Sequence, residues 1–257
     1  MTVLDEIIVG VREDLAARRG SLSKLMELIS AAPPTLDAVA ALKASGMSII
    51  AEVKRSSPSK GSLAAISDPA KLARKYQDGG ASAVSVLTEG RRFGGSLSDL
   101  VSVRQEISLP ILRKDFMVDE FQFFEARACG ADIVLLIVAA LSSNQLKDFA
   151  ALAQELGMKS LIEVHTEDEL ERALAISPEI VGVNSRNLRD LSVNPVVFQE
   201  LIPQIPSSIV KVAESGISTR EDVIAAELAG ADAVLVGEAL VRGDDPTTTI
   251  RQLIGSK

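Results

Sequence analysis

Tryptophan is absent from this chain of 257 residues, and tyrosine, histidine and cysteine each occur once. The lone Cys129 excludes an intramolecular disulfide and any cysteine-rich metal site; it reads as a buried, inert thiol. The lone His165 follows Val164 beside Thr166, where a surface or packing role is expected, and no histidine-based triad can be built around it. No metal and no cofactor is expected. With aromatic residues at 3%, the core has to be aliphatic, made of the Val, Ile, Leu and Ala that fill parallel sheets and their covering helices. No apolar run is long enough to span a bilayer, and residues 1–20 carry dispersed acids rather than a signal-peptide core. No membrane partner is expected, and a reducing cytoplasm is the expected compartment. Positive charge is also short: the formal net charge is −8, with no Lys/Arg stripe, so nucleic acid is not an expected partner. An anionic small molecule is compatible with this balance, because a local cluster of cations in a cleft outweighs a diffuse negative field. A monomer is expected.

What is present is a large aliphatic inventory, 47% hydrophobic against 24% charged residues, which suits a globule with a sizeable core. Leu4, Ile7, Ile8, Val11 and Leu15 recur at helical spacing within 3–19, Leu22–Ile29 forms a second helical stretch, and Thr35 is a candidate cap for a third reaching Lys43. From Ile49 onward, short β-rich runs alternate with helical segments. Eight runs are counted: Ile49–Lys54, Ala83–Thr88, Pro110–Lys114, Asp132–Val138, Lys159–Val164, Ile180–Asn184, Val210–Glu214 and Asp232–Gly237. Asp68-Pro69, Thr166 with Glu169, and Ser218 with Glu221 mark helix starts, while Gly80, Gly130 and Gly230 mark helix stops. The expected architecture is a (β/α)8 TIM barrel, a single α/β domain over 1–257 with residues 1–48 as an N-terminal helical extension. An open doubly wound sheet is second.

In a barrel, functional side chains collect where the strands end. The last inward positions are Glu52 and Lys54, Lys114, Glu163, Asn184, Glu214 and Gly237, whereas the deeper Leu112, Leu161 and Leu235 are apolar. Two lysines among carboxylates form an acid–base set, in which burial lowers a lysine pKa and the carboxylates oppose that. Ser215-Gly216 after the seventh run and Gly237-Glu238 after the eighth stand where barrels bind phosphate through backbone N–H groups. The loop from Ser56 to Ser62 is small, polar and without an apolar anchor, and is expected to close over a ligand.

The stretch Ile50-Ala51-Glu52-Val53-Lys54-Arg55-Ser56-Ser57-Pro58-Ser59-Lys60-Gly61 resembles the signature of the indole-3-glycerol-phosphate synthase family. Leu87-Thr88-Glu89, Phe93-Gly94-Gly95-Ser96, Leu112-Arg113-Lys114-Asp115-Phe116, Glu163-Val164-His165, Gly182-Val183-Asn184-Ser185-Arg186 and Ala213-Glu214-Ser215-Gly216-Ile217 agree with it in order and spacing. The resemblance implies ring closure of 1-(2-carboxyphenylamino)-1-deoxyribulose 5-phosphate with loss of carbon dioxide and water, a step of tryptophan synthesis. It implies Lys114 as general acid, Glu163 as base or acid at dehydration, and Glu52, Lys54, Asn184 and Ser215 as the rest of the catalytic set. Lys54 and Lys114 remain interchangeable as the first acid. By the same resemblance Ser57 meets the carboxylate, and Phe93, Phe116 and Leu135 line an aryl pocket. Arg186 orients hydroxyls, Glu214 and Gly216 join the substrate contacts, and Gly237 and Glu238 hold phosphate. Glu238 departs from the Ser found in many relatives. Alternatives are a sugar-phosphate isomerase, a Schiff-base aldolase, or a silent phosphate-binding regulatory barrel.

Overall fold

The computed structural model describes residues 2–44, 46–188, 190–243 and 245–255. Eight parallel strands close into a barrel: β1 (Ser48–Val53), β2 (Ala83–Leu87), β3 (Ile111–Lys114), β4 (Ile133–Ile137), β5 (Lys159–Val164), β6 (Ile180–Asn184), β7 (Val210–Glu214) and β8 (Ala233–Val236). Each pairs with its neighbours in sequence, and β8 returns to β1 with Ile50 opposite Leu235. Alternation along each strand separates two apolar sets. Ile50, Leu112, Leu135, Leu161, Val212 and Leu235 pack inside the barrel, and Ile49, Ala51, Val84, Val86, Val134 and Val234 pack outward beneath the helices. The open doubly wound alternative is thereby excluded.

Helix boundaries follow local chemistry. Asp68 caps α4 (Pro69–Gly79), whose first residue is the proline, and Gly80 ends it with φ 96°. Thr166 caps α8 (Glu167–Leu174). Two expected caps move along the chain. The third helix, α3 (Ala38–Leu42), is capped by Asp37, while the Thr35 hydroxyl donates to the Gly157 carbonyl at 2.6 Å. In α10 (Arg220–Leu228) the capping box is Thr219 with Asp222, one residue beyond Ser218 and Glu221; the Asp222 carboxylate accepts from both the Ser218 and Thr219 N–H groups. Cys129 is half-buried rather than buried, and its surroundings raise the thiol pKa, burial first.

Two helices precede α3: α1 (Val3–Arg18) and α2 (Leu22–Ala31). Leu4, Ile7 and Val11 of α1 join the cluster inside the barrel mouth. Arg18 grips Glu125 of α6 (Phe121–Ala128) with two hydrogen bonds of 3.1 and 3.2 Å. Arg19 reaches Asp119 at 3.2 Å and stands 5.2 Å over the Phe121 ring. Among the described residues no helix is long and apolar enough to cross a membrane.

The turn after β2 carries Phe93 toward the mouth. Glu89, buried, accepts the N–H groups of Arg91, Arg92 and Phe93 at 2.8–3.0 Å. Gly95 closes that turn so near the Leu87 carbonyl that a β-carbon would overlap it. Gly95→Ala is therefore expected to destabilise the fold by about 2–4 kcal/mol in urea unfolding; a cost under about 0.5 kcal/mol would show that the turn relaxes freely.

Candidate active site

The strands deliver their terminal side chains into one cavity of about 730 Å³ at the mouth of the barrel. All fifteen residues singled out in the sequence line it: Glu52, Lys54, Ser57, Phe93, Lys114, Phe116, Leu135, Glu163, Asn184, Arg186, Glu214, Ser215, Gly216, Gly237 and Glu238. Its roof is formed by Val3, Leu4 and Ile7 of α1, and sequence reasoning missed two cations on its rim, Lys60 and Arg242.

The floor is ionic. Lys114 Nζ lies 2.7 Å from Glu163 Oε2 and 3.2 Å from Glu214 Oε2, with both carboxylates 1% exposed. Burial works against the Lys114 ammonium, but the charges of Glu163, Glu214 and Glu52 outweigh it and raise its pKa. Of the two opposed effects on the lysine, the carboxylates win. Burial also works against the Glu163 carboxylate, yet Lys114 and then His165 hold its pKa well below the usual range. Glu214 goes the other way: burial, reinforced by the nearby Glu163 charge, raises it despite Lys114. Two carboxylates sharing one ammonium are thus driven apart, one ionised and one with a strong affinity for a proton. Glu214 reaches this position because residue 182 is glycine; a β-carbon there would overlap Glu214 Oε1.

Beside this group, Lys54 Nζ pairs with Glu52 Oε1 at 2.6 Å. Gly237 faces the pair, and a β-carbon on it would stand 2.5 Å from the Glu52 oxygen and 3.1 Å from the Lys54 nitrogen. Lys114 is fixed from behind as well. Arg113, fully buried, donates to the Gln122 carbonyl at 2.7 Å and to Asp115 at 3.0 Å, and Asp115 accepts the Phe116 N–H at 2.8 Å. Phe116 and Phe93 stand 6.2 Å apart, centroid to centroid, as one aromatic wall. Asn184 Oδ1 accepts the Arg186 N–H at 2.9 Å, and the Arg186 guanidinium bonds the Leu191 carbonyl at 3.0 Å and Ser59 Oγ at 3.3 Å.

On the opposite side, Ser215 has φ 68° and Gly216 φ 74°. A serine rarely takes this left-handed backbone without a compensating role; its carbonyl is held by Ser185 Oγ at 3.0 Å. The Glu238 carboxylate is engaged by Lys60 at 2.7 Å and Arg242 at 2.9 Å. The loop after β1 is a small antiparallel hairpin, Ser56–Ser57 with Gly61–Ser62, whose Ser56 Oγ donates to the Arg92 carbonyl at 2.8 Å. Its ties to the rest of the mouth are polar ones, from Ser56 and from Lys60. Among the described residues, no set of three or more His, Cys, Asp or Glu side chains is placed to hold a metal ion.

His165, read as a surface or packing residue, is 10% exposed and sits between two carboxylates, Glu163 Oε1 at 3.4 Å and Glu169 Oε2 at 3.0 Å. The sequence held the signal: two residues along a strand share a face, and Glu169 follows four residues later within the capped turn.

A closed (β/α)8 barrel with a buried acid–base cluster at its C-terminal rim defines an enzyme of small-molecule chemistry. The family model for indole-3-glycerol phosphate synthase matches residues 4–253. An indole-3-glycerol phosphate synthase from Streptomyces griseus is 55% identical, covering 100% of this chain and 96% of that protein. One from Mycolicibacterium smegmatis is 53% identical, covering 98% of this chain and 94% of its own length. The chain belongs to the indole-3-glycerol phosphate synthase family. Among solved structures, 3-hexulose-6-phosphate synthase from Salmonella typhimurium matches with a TM-score of 0.65 at 16% identity, over 81% of this chain and 97% of that one. The N-acetylmannosamine-6-phosphate 2-epimerase from Clostridium perfringens matches at 0.62 and 16%, over 84% and 94%. These two share the barrel.

Burial opposes charge on the His165 imidazole, but the neighbouring Glu163 and Glu169 carboxylates push its pKa up to about 9. A raised folded-state pKa contributes stability that is fully present below the unfolded value, about 6.5, and is lost as pH rises through about 9. His165→Gln should accordingly cost at most about 3 kcal/mol in urea unfolding at pH 6 and little at pH 10. An equal cost at both pH values would remove the coupling.

Proposed function

We propose that this cavity closes the indole ring of 1-(2-carboxyphenylamino)-1-deoxyribulose 5-phosphate, releasing carbon dioxide and water to give indole-3-glycerol phosphate. The observation that carries the reading is the Lys114 ammonium held between Glu163 and Glu214 beneath an aromatic wall. The aryl ring rests on Phe93, Phe116 and Leu135, and its carboxylate meets Lys54 and Ser57. Phosphate is held across the mouth by Ser215, Gly216, Gly237 and the Glu238 N–H, since Lys60 and Arg242 occupy the Glu238 carboxylate. Anchoring both ends bends the substrate so that the ring carbon bearing the carboxylate faces the ketone.

As that carbon attacks, charge develops on the ketone oxygen and Lys114 supplies a proton. The developing alkoxide is a stronger base than an amine, so transfer proceeds although the resting site holds Lys114 charged. Loss of carbon dioxide restores aromaticity. Glu163 then takes the proton from the sugar carbon while the hydroxyl departs as water, with Asn184 and Arg186 orienting the hydroxyls. Lys54, paired with Glu52, stands ready as the second acid. A Schiff-base mechanism is disfavoured, because it needs a neutral lysine and the carboxylates keep Lys114 protonated. We read the protein as a monomer and a single domain, 1–257 with 1–48 as its extension. We place it in the cytoplasm, where a free thiol such as Cys129 persists.

Incubating the protein with the carboxyphenylamino deoxyribulose phosphate should give an indole fluorescence signal; none would overturn the assignment. Lys114→Ala and Glu163→Ala should each lower kcat by about 10²–10⁴-fold with far smaller changes in KM. Either variant keeping near-full turnover would remove that residue from the chemistry. Borohydride trapping of substrate on Lys114 or Lys54 would establish the Schiff-base alternative.

A further inference from the structure

Glu163, one of the two most deeply buried carboxylates of the cavity, is touched from outside it. His165 reaches Glu163 but is not among the residues lining the substrate space. Its Nδ1 lies 3.0 Å from Glu169 Oε2, an oxygen that also accepts the His165 backbone N–H at 2.8 Å. Glu169 is 18% exposed, so this carboxylate meets solvent. On the inner side, Nε2 lies 3.4 Å from Glu163 Oε1 and makes no aligned hydrogen bond; a shift of about 0.5 Å would form one. The other oxygen of Glu163 is 2.7 Å from Lys114 Nζ. A succession of titratable groups therefore leads from solvent to the floor lysine without passing through the cavity.

Ring closure consumes one proton at the ketone oxygen, departure of the hydroxyl consumes another, and the sugar carbon returns one. Each turnover leaves the site one proton short. A ligand that fills the space above Lys114 displaces water from the mouth. We propose that Glu169 and His165 carry this missing proton to Glu163, which passes it to Lys114 once per turnover. The inference rests on Lys114 as the acid of ring closure, and on return of the sugar-carbon proton from Glu163 to Lys54 across the cavity that both line, which leaves Lys114 as the group short of a proton. The N–H bond at His165 Nε2 breaks as an O–H bond forms on Glu163. The carboxyl turns, and that O–H bond breaks as an N–H bond forms on Lys114. The neutral imidazole turns over and regains a proton from water beside Glu169. No electrons are exchanged with any other reagent.

The driving force is local. When Lys114 has lost its charge, Glu163 loses the neighbour that keeps its carboxyl ionised and becomes able to accept a proton. The groups facing the imidazole are Glu163 from β5 and Glu169 from α8, with Lys114 and Glu214 beyond Glu163. Both facing carboxylates favour the charged ring, so a proton is stored there at neutral pH.

The test is rapid mixing of His165→Gln and Glu169→Gln with excess substrate, following indole fluorescence in water and in deuterium oxide, with folding verified by thermal unfolding. The first turnover uses protons already loaded and should stay within about twofold of the parent. Later turnovers should slow by about tenfold or more and slow further in deuterium oxide. First and later turnovers slowed equally, as by a structural defect, would overturn the path; so would no slowing, or a slow phase indifferent to deuterium. Full turnover by Lys114→Ala would instead remove the underlying assignment of the acid, a result distinct from any of these.

Discussion

The Lys114 ammonium, set among the buried carboxylates of Glu163, Glu214 and Glu52 at the barrel mouth, is the constraint on which the rest of the site depends. Carboxylates so close, taken out of water, would repel one another by several kcal/mol without a cation between them. The cation is equally dependent on them. Each further device serves this arrangement: glycine at 182 leaves room for Glu214, glycine at 237 leaves room for Glu52 and Lys54, and Arg113 locks the backbone on either side of Lys114. Charge confined to one rim is tolerable because the layers beneath it are mainly aliphatic, with Ile50, Leu112, Leu161 and Leu235 among their side chains.

The same grouping separates two carboxyl groups of similar intrinsic acidity into different working states. Glu163 has Lys114 on one oxygen and His165 near the other, and stays ionised. Glu214 shares the lysine at longer range, has no hydrogen-bond partner on its second oxygen among the described residues, and favours its protonated form. Environment rather than residue type assigns the roles, a pattern common to acid–base sites that operate near neutral pH.

Much of this was legible in the sequence because it depends on alternation. Inward and outward faces of a strand are fixed by parity, so Glu52, Lys114, Glu163, Asn184 and Glu214 could be aimed at a common rim before any coordinates, and the eight strands fell within a residue or two of the expected runs. The misplaced caps, Thr35 for Asp37 and Ser218 for Thr219, arose where two good capping residues stand close together and only packing chooses between them. The helical face of α1 was equally legible, but which of its residues roof the cavity was not, since periodicity reports that a face is buried and is silent on what buries it. His165 was missed for a different reason: its partners are close in sequence, but its burial depends on how α8 docks.

The roof formed by α1 bears on how the chain comes into being. Arg18 is joined to Glu125, and the two are 107 positions apart. A ribosome adding roughly 5–20 residues per second releases the first helix several seconds before the helix that secures it. Throughout that interval Leu4, Ile7 and Val11 have no barrel interior to enter. A segment made before the barrel is thus among the last to find its place, and the binding cavity gains its full shape only when the newly made sheet is ready to be covered.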